Sequence, residues 1–253
     1  MSVSLQKASF GKRIISSIFD GILMSILAVG LAALLSLALG YNDYMNNVND
    51  TYAQYEAEYG VEFQITSKEY ETLSEAQKEN YNTAYNALIK DESVLYNYNM
   101  LINLTMLILT FSVLISVVVI EFVVPLLFGN GQTLGKKIFS IALMHTDGIK
   151  VKNVQLFARA ILGKFAIEIM IPLTIILMIR FNFIGLLGGL ILGAILIIEA
   201  ICLISTHTNS ALHDLLANTV AVDITSQRIF ETSEDLIAYT KAVHAEQVSK
   251  TPY

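Results

Sequence analysis

The chain has 253 residues, of which 54% are hydrophobic and only 15% carry a charge. This balance excludes the usual soluble globular class, in which about a quarter of the residues are charged. The net charge of −6 comes from one segment of the chain, so it says little about partners, and we expect no nucleic acid among them.

The first 40 residues combine a basic head with an apolar run over residues 14–39. The run exceeds both the roughly 20 residues that cross a bilayer and the about 7–15 apolar residues of a signal peptide. We therefore predict a permanent membrane anchor. Asp20 lies inside the run, two helical turns after Arg13 and on the same face, where burying a charge is costly.

Residues 41–99 read as a small acidic domain inserted after the first span. They hold ten of the twelve tyrosines, and eleven acidic residues against three lysines. Thr66 and Glu69 predict a capping box, Gly60 is expected to end a helix, and another helix is expected from Ser74, with the option of running on into the second span. The favoured interpretation is a helical cap whose tyrosines pack together and at the membrane interface. A docking surface for a partner or an envelope polymer is the alternative.

Three further apolar runs, over residues 100–128, 160–179 and 183–204, are each long enough to span a bilayer. Together with the first run, they predict an all-α bundle of four transmembrane helices embedded in a lipid bilayer. Small residues recur at every fourth position in the first and fourth spans, a spacing that lets helices approach closely. This spacing predicts helix contacts within one chain or in a homo-oligomer.

The segment between the second and third spans contains GNGQTLGKKIFSIALMHTDGIKV. It departs from a phosphate-binding loop because Asn130 stands where the first glycine is needed and Lys137 replaces the Ser or Thr. We predict instead a turn and two short strands, over residues 138–144 and 149–151, joined across an Asp-Gly turn. Lys136 and Lys137 are then expected to face anionic lipid headgroups.

Beyond the fourth span, the sequence STHTNSALHDLLANT predicts a short amphipathic segment at the membrane surface. Its His213 and Asp214 are placed to reach Arg13 or Arg159 across the mouth of the bundle. His207 and His213 stand six residues apart, which does not suit a shared metal site on a helix, so we expect no metal there.

Basic residues concentrate in the head, in the segment between the second and third spans, and in the tail, which four spans would place on one side. Because cytoplasmic segments carry the excess of Lys and Arg, we predict that both termini are cytoplasmic. The chain then divides into residues 1–40, an outer insertion over 41–99, a core over 100–224 and a cytoplasmic tail over 225–253.

The chain resembles the RDD family of bacterial polytopic membrane proteins, which is named for an arginine and two aspartates. Arg13 and Asp20 in GKRIISSIFDGIL match the first two, and Asp214 in ALHDLLANTVAVD matches the third. The stretch from GQTLGKK to Arg159 also follows the family's pattern. The resemblance implies at least three spans and a bacterial plasma membrane, and some members are linked to sodium–proton exchange or to tolerance of membrane stress.

Each predicted span carries one carboxylate, and the four are Asp20, Glu121, Glu168 and Glu199. Each lies about six to nine residues from the expected cytoplasmic end of its span, or roughly 9–14 Å at the rise of an α-helix. We infer that they face the bundle interior in one layer, with Lys164 as a partner for Glu168 and Arg13 and Arg159 at the rim.

This layer has a structural and a functional interpretation. In the structural one, Asp20 pairs with Arg13 or Arg159, Glu168 pairs with Lys164, and the ion pairs fix the helix register. In the functional one, crowded carboxylates exchange protons for Na⁺ or another small cation, because four acids outnumber the nearby cations.

Two functions follow, a small-cation/proton exchanger and a non-transporting membrane scaffold or envelope-stress protein that recruits partners through its outer domain. In the exchanger, the candidate ion path is Asp20, Glu121, Glu168 and Glu199, with Lys164, Arg159 and His213 as supporting charges.

The chain lacks the motifs of hydrolases and nucleotide-binding enzymes, so we expect that it is not an enzyme and binds no cofactor. The lone Cys202 excludes a disulfide framework within one chain and a cysteine metal cage.

Overall fold

The computed structural model describes residues 5–180, 183–206 and 208–250, so His207 lies outside the described residues. Four helical segments within these ranges are long and apolar enough to cross a membrane, which confirms the all-α transmembrane class. They are span 1 (Phe10–Ala38), span 2 (Glu92–Phe128), span 3 (Asn153–Arg180) and span 4 (Gly185–Ser205).

In chain order, the elements are α1 (Phe10–Ala38), α2 (Tyr41–Tyr59), α3 (Ser67–Thr72), α4 (Glu75–Leu88), α5 (Glu92–Val117), the π-helical segment π1 (Val118–Val123), α6 (Val124–Phe128), α7 (Leu134–Ile138), β1 (Ile141–His145), α8 (Asn153–Ala158), the π-helical segment π2 (Arg159–Met170), α9 (Ile171–Arg180), α10 (Gly185–Ser205), α11 (Leu212–Leu216), β2 (Thr219–Asp223) and α12 (Ser233–Lys250). Span 2 therefore consists of α5, π1 and α6, and span 3 of α8, π2 and α9.

Span 2 begins eight residues before the predicted apolar run, because Asp91 caps it. The Asp91 Oδ1 accepts the backbone N–H of Ser93 at 2.8 Å and that of Val94 at 3.2 Å. Since α4 ends at Leu88 and a new helix begins at Glu92, the idea that the helix from Ser74 runs on into the second span is wrong.

Contacts divide the chain into two compact units, one formed by Val29–Ser112 and the other by Met1–Ala28 with Val113–Tyr253. In the first unit, the predicted capping box of Thr66 and Glu69 is confirmed at the start of α3. Gly60 ends α2 with a φ of 61°, a left-handed conformation that favours glycine.

The aromatic side chains of the first unit pack against one another. The ring of Phe63 lies edge-on to those of Tyr52 and Tyr81, each with a centroid distance of 5.7 Å. Tyr70 packs on Tyr81 at 5.2 Å. Such edge-to-face contacts add to the burial of the rings, so this cluster holds α2, α3 and α4 together.

In the second unit, β1 pairs with β2 in an antiparallel ladder that joins Ile141 to Asp223. The first strand of the predicted hairpin is confirmed over residues 141–144, whereas its second strand, over 149–151, is reduced to isolated bridges such as that between Lys150 and Met144. The Asp-Gly turn itself is present, and the Gly148 N–H donates to the carbonyl oxygen of His145 at 2.9 Å.

Both faces of this small sheet are buried, which explains why β2 pairs with β1. Ala142, Met144, Val220 and Val222 form one apolar cluster on it. On the opposite face, Ile141, Leu143 and Ala221 pack with Leu156 and Val151 in a second cluster. A strand that buries apolar side chains on both faces gains more from the hydrophobic effect than the short segment 149–151.

Span 4 packs on α9 through Gly188 rather than through the predicted four-residue repeat. A Cβ atom at Gly188 would lie 2.5 Å from the Ile179 Cγ1, so glycine permits this contact. A Cβ atom at Gly189 or Gly193 would meet no described atom within 4 Å.

Candidate functional site

Charged residues from spans 1, 2 and 3 meet α7 and α11 inside the second unit, where they form a buried charge network. We use this name for nine residues, which are Arg13, Asp20, Glu121, Lys136, Arg159, Lys164, Glu168, His213 and Asp214. Glu199 of span 4 lies beside this network and is described with the cavity below.

Arg159 is the centre of the network and is only 2% exposed. Its Nε donates to the Asp214 Oδ1 at 2.8 Å, and its Nη1 donates to the Glu121 Oε2 at 2.7 Å. Its Nη2 lies 2.8 Å from the Nε2 of His213. The five N–H donors of a guanidinium lie in one fixed plane, so a single arginine can hold three partners from different elements. The expectation that Arg159 lies at the rim is therefore wrong.

Arg13 of span 1 joins the network through Asp214. Its Nη2 lies 3.3 Å from the Asp214 Oδ2, and its Nη1 donates to the carbonyl oxygen of Asn209. Asp214 thus binds Arg159 with one carboxylate oxygen and Arg13 with the other. The first and third residues of the signature are in direct contact.

Asp20 is fully buried and binds the start of α7. Its Oδ2 accepts the hydroxyl of Thr133 at 2.5 Å, and its Oδ1 accepts the backbone N–H of Gly135 at 2.8 Å. The Nζ of Lys136 lies 3.8 Å from the Asp20 Oδ2 and 3.7 Å from the Glu121 Oε2. The predicted pairing of Asp20 with an arginine is wrong, because Lys136 takes that place.

Gly135 lets α7 approach span 1 closely enough for these contacts. A Cβ atom there would overlap the carbonyl oxygen of Ser16 and lie 3.0 Å from the Asp20 Cγ. Lys136 is consequently only 5% exposed, so the expectation that it faces lipid headgroups is wrong. Lys137 places its ammonium group 3.8 Å from the centre of an aromatic ring on α6.

The π-helical form of π2 decides which residues of span 3 share a face. In an α-helix, where each residue turns by about 100°, Glu168 would lie opposite Arg159. Hydrogen bonds of a π-helix close between residues five apart, so Arg159 and Lys164 stack and both reach Glu121, at 2.7 Å and 2.5 Å. The predicted pair of Lys164 with Glu168 rests on α-helical spacing and is wrong for this reason.

Glu168 binds His213 instead. Its Oε1 accepts the His213 backbone N–H at 3.0 Å and lies 2.6 Å from the ring Nδ1. Because the Nε2 faces a donor of Arg159, the Nδ1 carries the ring proton and the imidazole is neutral. Burial and the neighbouring Arg159 lower the pKa of His213, which favours this neutral form.

The network also shifts the pKa values of two further groups outside the spans. Burial lowers the pKa of the Lys136 ammonium to about 8, although Glu121 opposes the shift. Burial alone would raise the pKa of Asp214, but the guanidinium groups of Arg159 and Arg13 hold it well below its usual range. Asp214 therefore stays ionised.

A cavity of about 460 Å³ lies beside the network and is bordered by Glu168, His213 and Glu199. The Oε2 of Glu199 is buried and has no hydrogen-bond partner among the described residues. A buried polar atom without a partner is unusual and calls for a proton, a water molecule or a ligand. Within the described ranges, no three His, Cys, Asp or Glu side chains are arranged to hold a metal ion.

The family model described as "RDD family" matches residues 7–218, which include Arg13, Asp20 and Asp214. The chain belongs to the RDD family. No curated protein and no solved structure matches it. The tail and α12 lie outside the matched region.

In this RDD-family protein, an unbroken series of contacts joins the three signature residues. From the first to the last, the series is Arg13, Asp214, Arg159, Glu121, Lys136 and Asp20. The signature therefore describes one network that ties span 1 to spans 2 and 3 and to the segments between and after them.

The four carboxylates of the candidate ion path separate into two groups. Asp20 and Glu121 are fully buried and share Lys136. Glu168 and Glu199 border the cavity. The supporting charges Lys164, Arg159 and His213 all contact one of these carboxylates or Asp214.

Sequence reasoning missed the part that α7 plays in this site. Thr133 caps α7 and also donates to Asp20, while Gly135 and Lys136 complete the contact with span 1. A signal for this was present in QTLGKK, where a Thr stands three residues before a Lys at a helix start and a Gly allows close approach.

Proposed function

We propose that this RDD-family protein is a membrane transporter, and not an enzyme, that exchanges a small cation for protons. The observation that carries the proposal is the buried Oε2 of Glu199 at the edge of a cavity, which has no hydrogen-bond partner in the part of the chain that the structure describes. Intramembrane acids are costly and usually mark ion or proton paths. A proton and a cation compete for the same oxygen, so binding of one expels the other and the two movements are coupled.

The charge balance of the buried charge network together with Glu199 supports the same proposal. These residues include five carboxylates, which are Asp20, Glu121, Glu168, Glu199 and Asp214. Four basic side chains lie among them, which are Arg13, Lys136, Arg159 and Lys164. Because His213 is neutral, the carboxylates outnumber the basic side chains by one, and a proton or a bound cation would balance the remaining negative charge.

We place the protein in a bacterial plasma membrane with both termini in the cytoplasm, since the basic residues favour that side. The buried charge network then lies in the cytoplasmic half of the membrane. Glu168 and His213 form a hydrogen-bonded pair beside Glu199, so they offer a route for protons between the cavity and α11.

The test is flux in liposomes that contain the purified protein and an internal pH indicator. A gradient of a small cation should change the internal pH with wild-type protein, and Glu199→Gln should reduce this flux at least about tenfold, because an amide cannot take up a proton. The matched control is Glu234→Gln, which makes the same change at an exposed site on α12. Full coupled flux in folded Glu199→Gln protein would contradict the proposal.

The second candidate function is a non-transporting scaffold. The observation that favours it is that Asp20, Glu121 and Asp214 are each already paired with Lys or Arg, so much of the network can serve as a lock between helices. Wild-type protein that moves no cation in the liposome assay, while it still binds a partner through residues 41–99, would favour this function.

A further inference from the structure

The walls of the cavity are far more apolar than a site for a bare metal ion needs. Besides its charged border, it is lined by Ile14, Ile18, Met24, Ile169 and Leu203. A metal ion such as Ca²⁺ is held by six or more oxygen atoms, typically about 2.3–2.6 Å away. Apolar walls of this kind instead surround the hydrocarbon part of an organic ligand.

Among the described residues, the polar border of the cavity includes an acceptor without a donor, but no group of side chains that could hold a metal ion. The Oε2 of Glu199 is buried without a partner among the described residues. Arg13 and Lys164 also reach the cavity, but they are bound to Asp214 and Glu121. A ligand must therefore bring its own hydrogen-bond donor and its own positive charge to Glu199.

The size of the cavity fits an organic cation of modest length. Its volume of about 460 Å³ lies within the usual range for small-molecule sites, about 300–1,000 Å³. Gly21 of span 1 lines it, and a Cβ atom at Gly21 would meet no described atom within 4 Å. Span 1 thus leaves open space at the wall of the cavity that Glu199 also lines, where a hydrocarbon group can lie.

We infer that the cavity beside Glu199 binds an amphipathic organic ammonium ion that carries N–H donors, as the cation of the proposed exchange. Its ammonium group donates to the Glu199 carboxylate, and its hydrocarbon part packs against Ile14, Ile18 and Leu203. This inference rests on the proposed function for the coupling to protons. The binding itself follows from the shape and chemistry of the cavity.

Binding is measured by calorimetry on the full chain in phosphatidylcholine nanodiscs, with phenethylammonium as the probe. Glu199→Gln and Gly21→Leu should each weaken binding about tenfold or more, the first by removing the charged acceptor and the second by filling the space. Gly30→Leu is the matched control, because Gly30 lies on the same helix, is not one of the residues that line the cavity, and also has no described atom within 4 Å of its Cβ position.

Two further probes separate the sources of affinity. Tetramethylammonium has the charge without an N–H donor, and Na⁺ has the charge without a hydrocarbon part, so both should bind at least about tenfold more weakly. Phenethylammonium binding that is unchanged in both cavity variants would overturn the inference. Tetramethylammonium or Na⁺ that binds as tightly as phenethylammonium would overturn it as well.

The same protein in liposomes distinguishes this inference from the proposed function. If Na⁺ is exchanged for protons while phenethylammonium neither binds nor moves, the ligand class is wrong and the exchange stands. If phenethylammonium binds in a way that depends on Glu199 and Gly21 but drives no proton movement, the binding site stands and the exchange is wrong.

Discussion

Lys136 is the residue through which the buried charge network should respond to alkaline pH. Its Nζ lies within 3.8 Å of Asp20 and 3.7 Å of Glu121, yet burial lowers its pKa from 10.5 to about 8. The folded protein therefore holds the neutral amine more readily than the unfolded chain does. Below pH 8 the amine is protonated in both the folded and the unfolded protein, so burial of its charge lowers the stability by a constant amount. Between pH 8 and 10.5 the folded protein gives up this proton while the unfolded chain keeps it, so the loss of stability becomes smaller as the pH rises.

We therefore predict that the folded protein gains stability as the pH rises from about 8 to about 10.5, and that Lys136→Met removes this gain. The measurement is the thermal unfolding midpoint in detergent across this pH range for both proteins. Tyrosines and other lysines titrate in the same range, so the decisive quantity is the difference between the two slopes. Equal slopes would show that Lys136 does not titrate differently in the folded protein.

Some residue contacts could be predicted from the sequence, and others could not. The contacts of His213 and Asp214 with the arginines were predictable, because α11 follows soon after span 4 and four spans bring it to the same end of the bundle as Arg13 and Arg159. The pairing of Asp20 with Lys136 was not predictable in this way. It depends on α7 turning back against span 1. Thr133 and Gly135 indicate a helix start that allows close approach, but they do not indicate which helix α7 approaches.

At the scale of the elements, the packing of α7 against span 1 depends on Gly135. Gly135→Ala would press a methyl group against the Ser16 carbonyl oxygen and the Asp20 carboxylate. We predict a loss of about 1–3 kcal/mol in the free energy of unfolding, the usual cost of overpacking. The measurement is the thermal unfolding midpoint of the purified variant compared with that of the wild-type protein.

Gly193→Ala provides the matched control for that measurement. Its Cβ atom meets no described atom within 4 Å in the middle of α10, so a helical alanine should be neutral or stabilising by up to about 1 kcal/mol. If Gly135→Ala behaved like Gly193→Ala, α7 would not pack against span 1 as described.

The sequence predicts helices better than it predicts their internal form. The apolar runs and the capping box at Thr66 were sufficient to place most helices, because both signals are local. The π-helical segments were missed, since the residues of π2 are equally compatible with an α-helix. The choice between an α-helix and a π-helix depends on whether Arg159, Lys164 and Glu168 find partners on other elements.

The pairing of β1 with β2 joins strands more than 70 residues apart, which no local pattern encodes.

For the whole molecule, the distribution of basic residues predicts one orientation in the membrane, with the insertion over residues 41–99 outside the cell and the tail in the cytoplasm. In a Cys202→Ser background, Glu79→Cys should react with a membrane-impermeant maleimide in intact spheroplasts. Glu234→Cys should react only after the membrane is permeabilised. Both positions are exposed, so reactivity reports the side of the membrane rather than burial. The reverse labelling pattern would place the buried charge network in the outer half of the bilayer.

The contact between Arg13 and Asp214 joins residues that are 201 positions apart, and this has a consequence for biogenesis. A ribosome synthesises Arg13, Glu121 and Arg159 before it reaches α11. Until α11 follows, the nascent protein lacks the aspartate that finally binds both arginines. Release of a chain that stopped before residue 209 would leave an insertion intermediate whose arginines still lack this anion, a natural substrate for quality-control proteolysis.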